Sequence, residues 1–320
     1  MPFQPVSSFL EATSSLSLEK GSQGRFIARI SRDWCTQHSV LGGYLTVLIL
    51  CAAHQHINTE IQAKYPDPIH VFTQFLHMVP PGRVSISCQT VRATSRLCVV
   101  KLELELHQEP RNGHQQDGSS PPHSDTSRSG SPQQPPACIA IATFANLHKE
   151  KGLTQNTAGS TTTTPPLPNR QTECLPIDDP VVDATPVTRK LHWVAPRSAD
   201  GLWGHRLGGH QREVWLSFRD GSRISDLLHL ALLADMPLQP PATHTAGFYS
   251  RHALSTLCLS VEFKTRPDPN TEWVLIRSNS VRVVGGRYDM NVQIFDERGN
   301  VLALSNHVVC ISDLRGKSRI

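Results

Sequence analysis

Asp235 holds the position from which chemistry follows most directly. It comes after Leu227–Ala234, a run apolar on nearly every side, and before Met236-Pro237. A carboxylate near the C-terminus of a helix meets the negative end of the helix dipole. That raises its pKa and makes it a proton acceptor near neutrality. The alternative is a solvent-facing aspartate that ends a helix before a proline. His307 interrupts the apolar pattern Val301–Ile311, either as a base or as a satisfied or edge-facing strand histidine. Thr256 begins another apolar run, where strand propensity alone accounts for a threonine. Gly42-Gly43 has two readings. Glycines there let a ligand reach backbone N–H groups able to hold an oxyanion or phosphate, or they let a helix pack closely against a sheet. Other constellations fail: the chain has no Gly-x-Ser-x-Gly and no HExxH, and His54-x-His56 points its rings apart on a helix. Gly285-Gly286 reads as a hairpin turn or bulge.

These residues need elements to position them, and the chain supplies the same set twice. In the first half a strand, Arg25–Ile30, leads through a turn at Asp33-Trp34 into a helix from about Val40 to Lys64. Leu41, Tyr44, Leu45, Leu48, Ile49 and Ala52 recur at helical spacing, with Val47, Leu50 and Cys51 between them, so this helix is buried on most sides. Strands are expected at Ile69–Leu76, Arg83–Val91, Leu97–Leu106 and Cys138–Ala145. In the second half a strand, Glu213–Phe218, precedes Ser225 and Asp226 as N-cap residues and the helix Leu227–Ala234. Strands follow at Thr256–Lys264, Glu272–Val284, Tyr288–Phe295 and Val301–Ser312, with a hairpin turn at Asp296–Asn300. A helix apolar all round, followed by a meander, is best buried by a sheet that curls about it. The fold class is therefore α+β, and the lack of βαβ alternation argues against a doubly wound sheet.

Composition agrees. A chain of 320 residues accommodates two domains, and its 38 % apolar content is diluted locally. Residues 107–136 are mostly Gln, Ser, Pro, Gly and His, with almost no apolar residue, and read as a disordered insertion between two paired strands. Residues 149–204 read as a largely irregular linker, dividing an N-terminal unit, 1–148, from a C-terminal unit, 205–320. A net charge of +4, with both signs scattered, argues for neither nucleic acid nor a membrane surface. The run Val40–Ala53 is too short to span a bilayer. Eight cysteines at irregular spacings, with no CxxC, suit reduced thiols in an intracellular, cytoplasmic protein. The C-terminal Ser318-Arg319-Ile320 is close to a small–basic–aliphatic peroxisomal address, although Ile departs from the usual last residue. A frayed basic tail is the alternative.

Several of these segments together resemble the thioesterase-like superfamily, in particular acyl-CoA thioesterase II-type double-hotdog proteins with the look of fungal members. Asp33-Trp34 followed by Gly42-Gly43-Tyr44-Leu45 and Val47 is similar to the family's strand-to-helix passage. Phe75-Leu76 with Pro80-Pro81-Gly82 is similar to its Phe-Leu … Pro-Gly junction. Leu232–Asp235, Leu259–Phe263 and Val301–Ser305 resemble the matching segments of the second half, and the likeness covers residues 24–147 and 205–313. The resemblance implies a tandem double hotdog that hydrolyses acyl-CoA or carrier-bound acyl thioesters, in lipid or secondary metabolism, without metal or redox cofactor. It also implies a site in the C-terminal half where an Asp, a Ser or Thr and a Gln position a water. Asp235 falls at the Asp and Thr256 at the hydroxyl, with Ser255 adjacent. His307 falls near the Gln, with Asn306 beside it; no Gln stands there. Gly42, Gly43 and Ser255 are the expected substrate contacts. Hotdog units pair edge to edge, so the halves should form a pseudo-dimer compatible with a further homo-oligomer. Two rivals stay open. One is an acyl-binding or scaffolding protein that kept the fold and lost the site. The other is an enoyl-thioester hydratase built on Asp33 and His38, whose spacing fits Asp-x-Asn-x-x-His except that Cys35 replaces the Asn.

Overall fold

The computed structural model describes residues 9–37, 39–61, 64–107, 135–154, 165–244 and 247–314. The bulk of the expected insertion, His38 and the C-terminal tripeptide lie outside these residues.

The N-terminal unit opens with a short helix, α1 (Phe9–Ser14), and a two-residue strand, β1 (Ser17–Leu18). Strand β2 (Arg25–Ile30) then leads into helix α2 (Gly42–Glu60). Nearly every α2 residue from Gly43 to Ala53 is buried, which is why its apolar positions run round the whole helix. Strands β3 (Asp67–Phe75), β4 (Gly82–Ala93), β5 (Cys98–Leu106) and β6 (Cys138–Ala145) follow. Two strands, β7 (Leu175–Pro176) and β8 (Leu191–Ala195), precede the C-terminal unit. That unit runs β9 (Gln211–Phe218), α3 (Leu227–Leu233), α4 (Phe248–Arg251), β10 (His252–Phe263), β11 (Val274–Asn279), β12 (Val283–Val284), β13 (Arg287–Phe295) and β14 (Val301–Asp313).

Strand order makes the duplication explicit. The first unit reads β2-β4-β5-β6-β3 across its sheet, and the second reads β9-β11-β13-β14-β10. In both, the second long strand in sequence lies at the far edge, next to the fifth. Those two edges, β3 and β10, pair antiparallel with Val71 opposite Val261 and Phe72 opposite Ser260. The pairing fuses the units into one 14-stranded sheet, the α+β double-hotdog plan expected of the sequence. Helices α2 and α3 pack side by side against it. Side chains lock the seam: Arg266 donates to the fully buried Asp67, which also accepts from Leu147 N–H at 2.8 Å. His70 Nε2 lies 2.9 Å from Ser260 Oγ. Phe9 of α1 bridges the units, its ring 4.6 Å from that of His229 and 5.8 Å from that of Trp34.

Two expectations need amendment. The run Glu272–Val284 is not one strand. Asp289 accepts hydrogen bonds from the N–H groups of Val281 and Arg282 at 3.0–3.2 Å, withdrawing them from the ladder. The chain then restarts as β12 and turns at Gly285-Gly286, where φ is +57° and +70°, values a two-residue hairpin needs and glycine supplies. Residues 165–204 are irregular for most of their length, but they are packed rather than loose. Strands β8 and β7 extend the sheet beyond β9. The fully buried Glu213 accepts from Arg277 at 2.8 Å and pairs with Arg206 at 3.0 Å. The same arginines donate onward to the Pro165 and Pro166 carbonyls, at 3.0 and 2.7 Å. A buried carboxylate needs such partners, and satisfying it ties the segment down.

Candidate active site

Helix α3 is started by Asp226, whose side chain accepts from Leu228 N–H at 2.8 Å, while His229 Nδ1 accepts from Asp226 N–H at 3.2 Å. The helix ends at Ala234, so Asp235 is the first residue past the cap. Its carboxylate does not turn to solvent. Helix α2 begins at Leu41 with no side chain capping its first turn. Gly43 N–H donates to Asp235 Oδ2 at 2.8 Å instead. A carboxylate at a helix N-terminus meets open donors and the positive end of the dipole. The acid comes from one unit and the helix that receives it from the other.

At this contact the close-packing reading of Gly42-Gly43 holds, and Gly43 N–H is taken by Asp235 rather than open to a ligand. A Cβ on Gly43 would stand 2.7 Å from the Leu232 carbonyl oxygen and 2.8 Å from Asp235 Cβ. One on Gly42 would stand 2.9 Å from Phe75 Cζ and 3.0 Å from Asp235 Oδ2. The glycines allow close packing, of helix on helix, and an N–H does hold an anion, the chain's own Asp235.

His307 comes from β14. Its Nδ1 lies 3.7 Å from Asp235 Oδ1, beyond hydrogen-bond length, and has no hydrogen-bond partner among the described residues. Its Nε2 lies 2.9 Å from Ser305 Oγ. The Asp235 and His307 side chains are 8 % and 0 % exposed. Burial pushes Asp235 up to about 7, opposed by the Gly43 hydrogen bond. Burial pushes His307 down to about 3, opposed by the Ala234 backbone. The imidazole is therefore neutral at physiological pH, and the contact joins a carboxyl whose pKa burial has raised to a neutral ring. The source of the high aspartate pKa differs from the one expected. Desolvation raises it, and the helix end that Asp235 meets, the N-terminus of α2, lowers it.

Thr256 owes its direction to a β-bulge. Along β10 the register with β14 shifts between Thr256 and Cys258. Thr256 then stands opposite Val309, and Leu259 opposite His307. Val309 and His307 are two apart on one strand and share a face, so Thr256 turns inward with His307. Its hydroxyl has no protein partner among the described residues. Ser255 stands opposite Cys310, faces the other way and is exposed. The structure does not bring Ser255 to Asp235. Of the rival pair, Asp33 sits half-buried near Lys190; burial holds the Lys190 pKa below its ordinary value, opposed by the charge of Asp33, and the ammonium lies 4.4 Å over the Trp34 ring.

Two nearby residues carried no signal in the sequence reading. Tyr288 faces Val309 from β13, completing a row Thr256–Val309–Tyr288 on the inner face. Its hydroxyl donates to Gln239 Oε1, on the segment leaving α3. Each would have looked unremarkable, one a strand tyrosine and the other a polar loop residue. A cavity of about 490 Å³ opens elsewhere, beside His192, Trp193, Ser217 and Trp273, and none of Asp235, Thr256 and His307 lines it. Among the described residues no group of three or more His, Cys, Asp and Glu is placed to hold a metal ion, and no helix is long and apolar enough to cross a membrane.

A buried carboxyl that titrates near neutrality, with a neutral imidazole 3.7 Å away, can take a proton from water. Comparison with known proteins shows the family and the fold. Residues 30–145 match a family model described as the acyl-CoA thioesterase N-terminal domain, and residues 169–311 match the acyl-CoA thioesterase C-terminal domain. A thioesterase-like protein of Talaromyces wortmannii, TwmA, is 37 % identical over 57 residues, a stretch covering 18 % of this chain and 16 % of that protein. The fold is similar to a hotdog-fold protein of unknown function from Alicyclobacillus acidocaldarius, with TM-score 0.69, 15 % identity and coverage of 96 % of this chain and 99 % of that one. It is also similar to the acyl-CoA thioesterase II TesB2 of Mycobacterium marinum, with TM-score 0.64, 15 % identity and coverage of 97 % and 99 %.

Proposed function

The chain belongs to the acyl-CoA thioesterase family, whose members are thioester hydrolases, and from that premise we propose that it cleaves an acyl thioester of coenzyme A or of a carrier protein with a water that Asp235 deprotonates. The observation that carries this reading is the Gly43–Asp235 contact, which holds a carboxyl of pKa about 7 beside His307. Water oxygen bonds to the thioester carbon as its proton passes to Asp235. The carbonyl becomes an oxyanion. Its collapse breaks the C–S bond, and the departing sulfur takes the proton back from Asp235, leaving a carboxylic acid and a free thiol. Thr256 orients the water through its hydroxyl. His307, neutral and fixed by Ser305, serves as the third hydrogen-bonding partner. Gly42 N–H, which has no acceptor among the described residues, polarises the thioester carbonyl at the start of α2. The TwmA match supports placing the chain among fungal thioesterase-like proteins.

The test offers purified protein a panel of acyl-CoAs of increasing chain length and follows thiol release. Release from at least one chain length is expected. Tight binding with no release would replace the reading with an acyl-binding role. Loss of enoyl-CoA absorbance, abolished by Asp33→Asn, would replace it with hydration.

A further inference from the structure

The segment leaving α3 carries Asp235 and then Met236-Pro237-Leu238-Gln239, and the C-terminal sheet grips its far end. Tyr288, 2 % exposed on β13, donates its hydroxyl proton to Gln239 Oε1. Gln239 N–H donates to the Tyr249 hydroxyl at 3.4 Å. One residue earlier, the Leu238 carbonyl accepts from the buried Ser278 hydroxyl at 2.8 Å. Among the described residues one hydrogen bond fixes the Asp235 carboxylate, that from Gly43. Because that donor lies on another unit, the carboxylate stays in place only while its own backbone does. Resting on the hydrolytic reading above, we propose that Tyr288 and Gln239 are positioning residues, a hydroxyl-to-amide clamp that holds Asp235 against α2.

Three features favour this role over plain packing. Tyr288 shares its row on the inner face with Thr256, so the clamp borders the site rather than a remote part of the core. The clamp closes only four residues from Asp235, too short a span to absorb a shift. Burial, Tyr249 and the charge of Asp235 all hold the Tyr288 hydroxyl protonated, so it remains a donor throughout the range in which Asp235 titrates. The titratable groups facing Asp235 are His307 from β14 and Tyr288 from β13, with Tyr249 behind Tyr288, while α2 presents its backbone N–H.

The clamp is tested on full-length protein carrying ¹³C-labelled aspartate, with the Asp235 carboxyl titrated by NMR. This readout does not depend on any substrate. Tyr288→Phe keeps the ring and removes the donor. With the clamp open, the Gly43 hydrogen bond that favours the ionised carboxyl weakens, and the Asp235 midpoint rises by about half a pH unit. Gln239→Met should give the same rise, and the double variant no further rise, since both remove one interaction. In parallel, kcat in Tyr288→Phe should fall about tenfold with KM unchanged, the mark of misplacement rather than lost binding. A lower melting temperature with an unmoved Asp235 midpoint would overturn the clamp, as would additive shifts in the double variant. Failure of the hydrolytic reading would show separately, as no thiol release from wild-type protein whose Asp235 midpoint still responds to Tyr288→Phe.

Discussion

Gly43 N–H and Asp235 Oδ2 lie 2.8 Å apart across 192 residues of sequence, joining the helix of one unit to the helix end of the other. The candidate site is therefore not a property of the C-terminal unit alone. The acid, the histidine and the threonine come from that unit, but the helix terminus that orients the acid comes from the first.

Closeness at that contact leaves no room for a methyl group. Gly43→Ala would drive a Cβ into the Leu232 carbonyl and Asp235 Cβ, both on backbone or near it. We expect a loss of about 1–3 kcal/mol, read as a lower thermal midpoint, together with loss of most activity. A stable, fully active Gly43→Ala protein would show that the helices can separate freely.

The pH–rate profile should carry the signature of Asp235. A base with pKa about 7 works in its ionised form, so kcat/KM should climb through pH 7 and then level. An acid limb at the ordinary aspartate value of 3.8 would mean that another group accepts the proton.

Stability should respond to the same two groups with opposite signs. Asp235 keeps its proton in the folded state up to about 7, against an ordinary 3.8, so its contribution to stability falls as pH rises through that window. His307 refuses a proton until about 3, against an ordinary 6.5, so its contribution grows as pH rises toward 6.5. In wild type the two slopes oppose each other. Thermal midpoints between about pH 4.5 and 7.5 should show Asp235→Asn gaining on wild type as pH rises. His307→Gln should be favoured most at the acid end. Parallel profiles for all three proteins would contradict the burial of both groups.

The bulge in β10 predicts a sharp contrast between neighbours. Thr256→Val removes an inward hydroxyl and should cost about 10–100-fold in kcat/KM. Ser255→Ala alters an exposed, outward residue and should leave the rate unchanged. Steady-state kinetics on the pair decides it, and the reverse order would mean that the strand register differs.

The doubled plan was legible because burial writes itself into sequence. An α2 apolar on every side and strands of alternating pattern can be explained only by enclosure, and the same order recurs after β9. Asp235 stood out for the same reason, as a charge at the end of an apolar helix. What lay beyond sequence reasoning is what depends on register and on distance along the chain. Nothing near Gly43 announces a partner at Asp235. The one-residue bulge after Thr256 reverses which of two adjacent hydroxyls faces inward, and propensity does not distinguish them. Asp289 breaks the strand before it by side-chain capture of backbone N–H groups. Glu213, Arg206 and Arg277 turn a proline-rich stretch into packed structure, because a buried carboxylate must find its cations. Tyr288 and Gln239 meet only because the segment after α3 crosses β13.

The most direct measurement is thiol release by Asp235→Asn under conditions where wild type turns over. Asparagine keeps the size of the side chain and an oxygen for the Gly43 N–H, but it cannot take a proton from water. The protein should fold, bind the thioester and lose about 10²–10⁴-fold in kcat. An Asp235→Asn protein as fast as wild type would contradict the assignment of Asp235 as the base, and with it the site built across the two units.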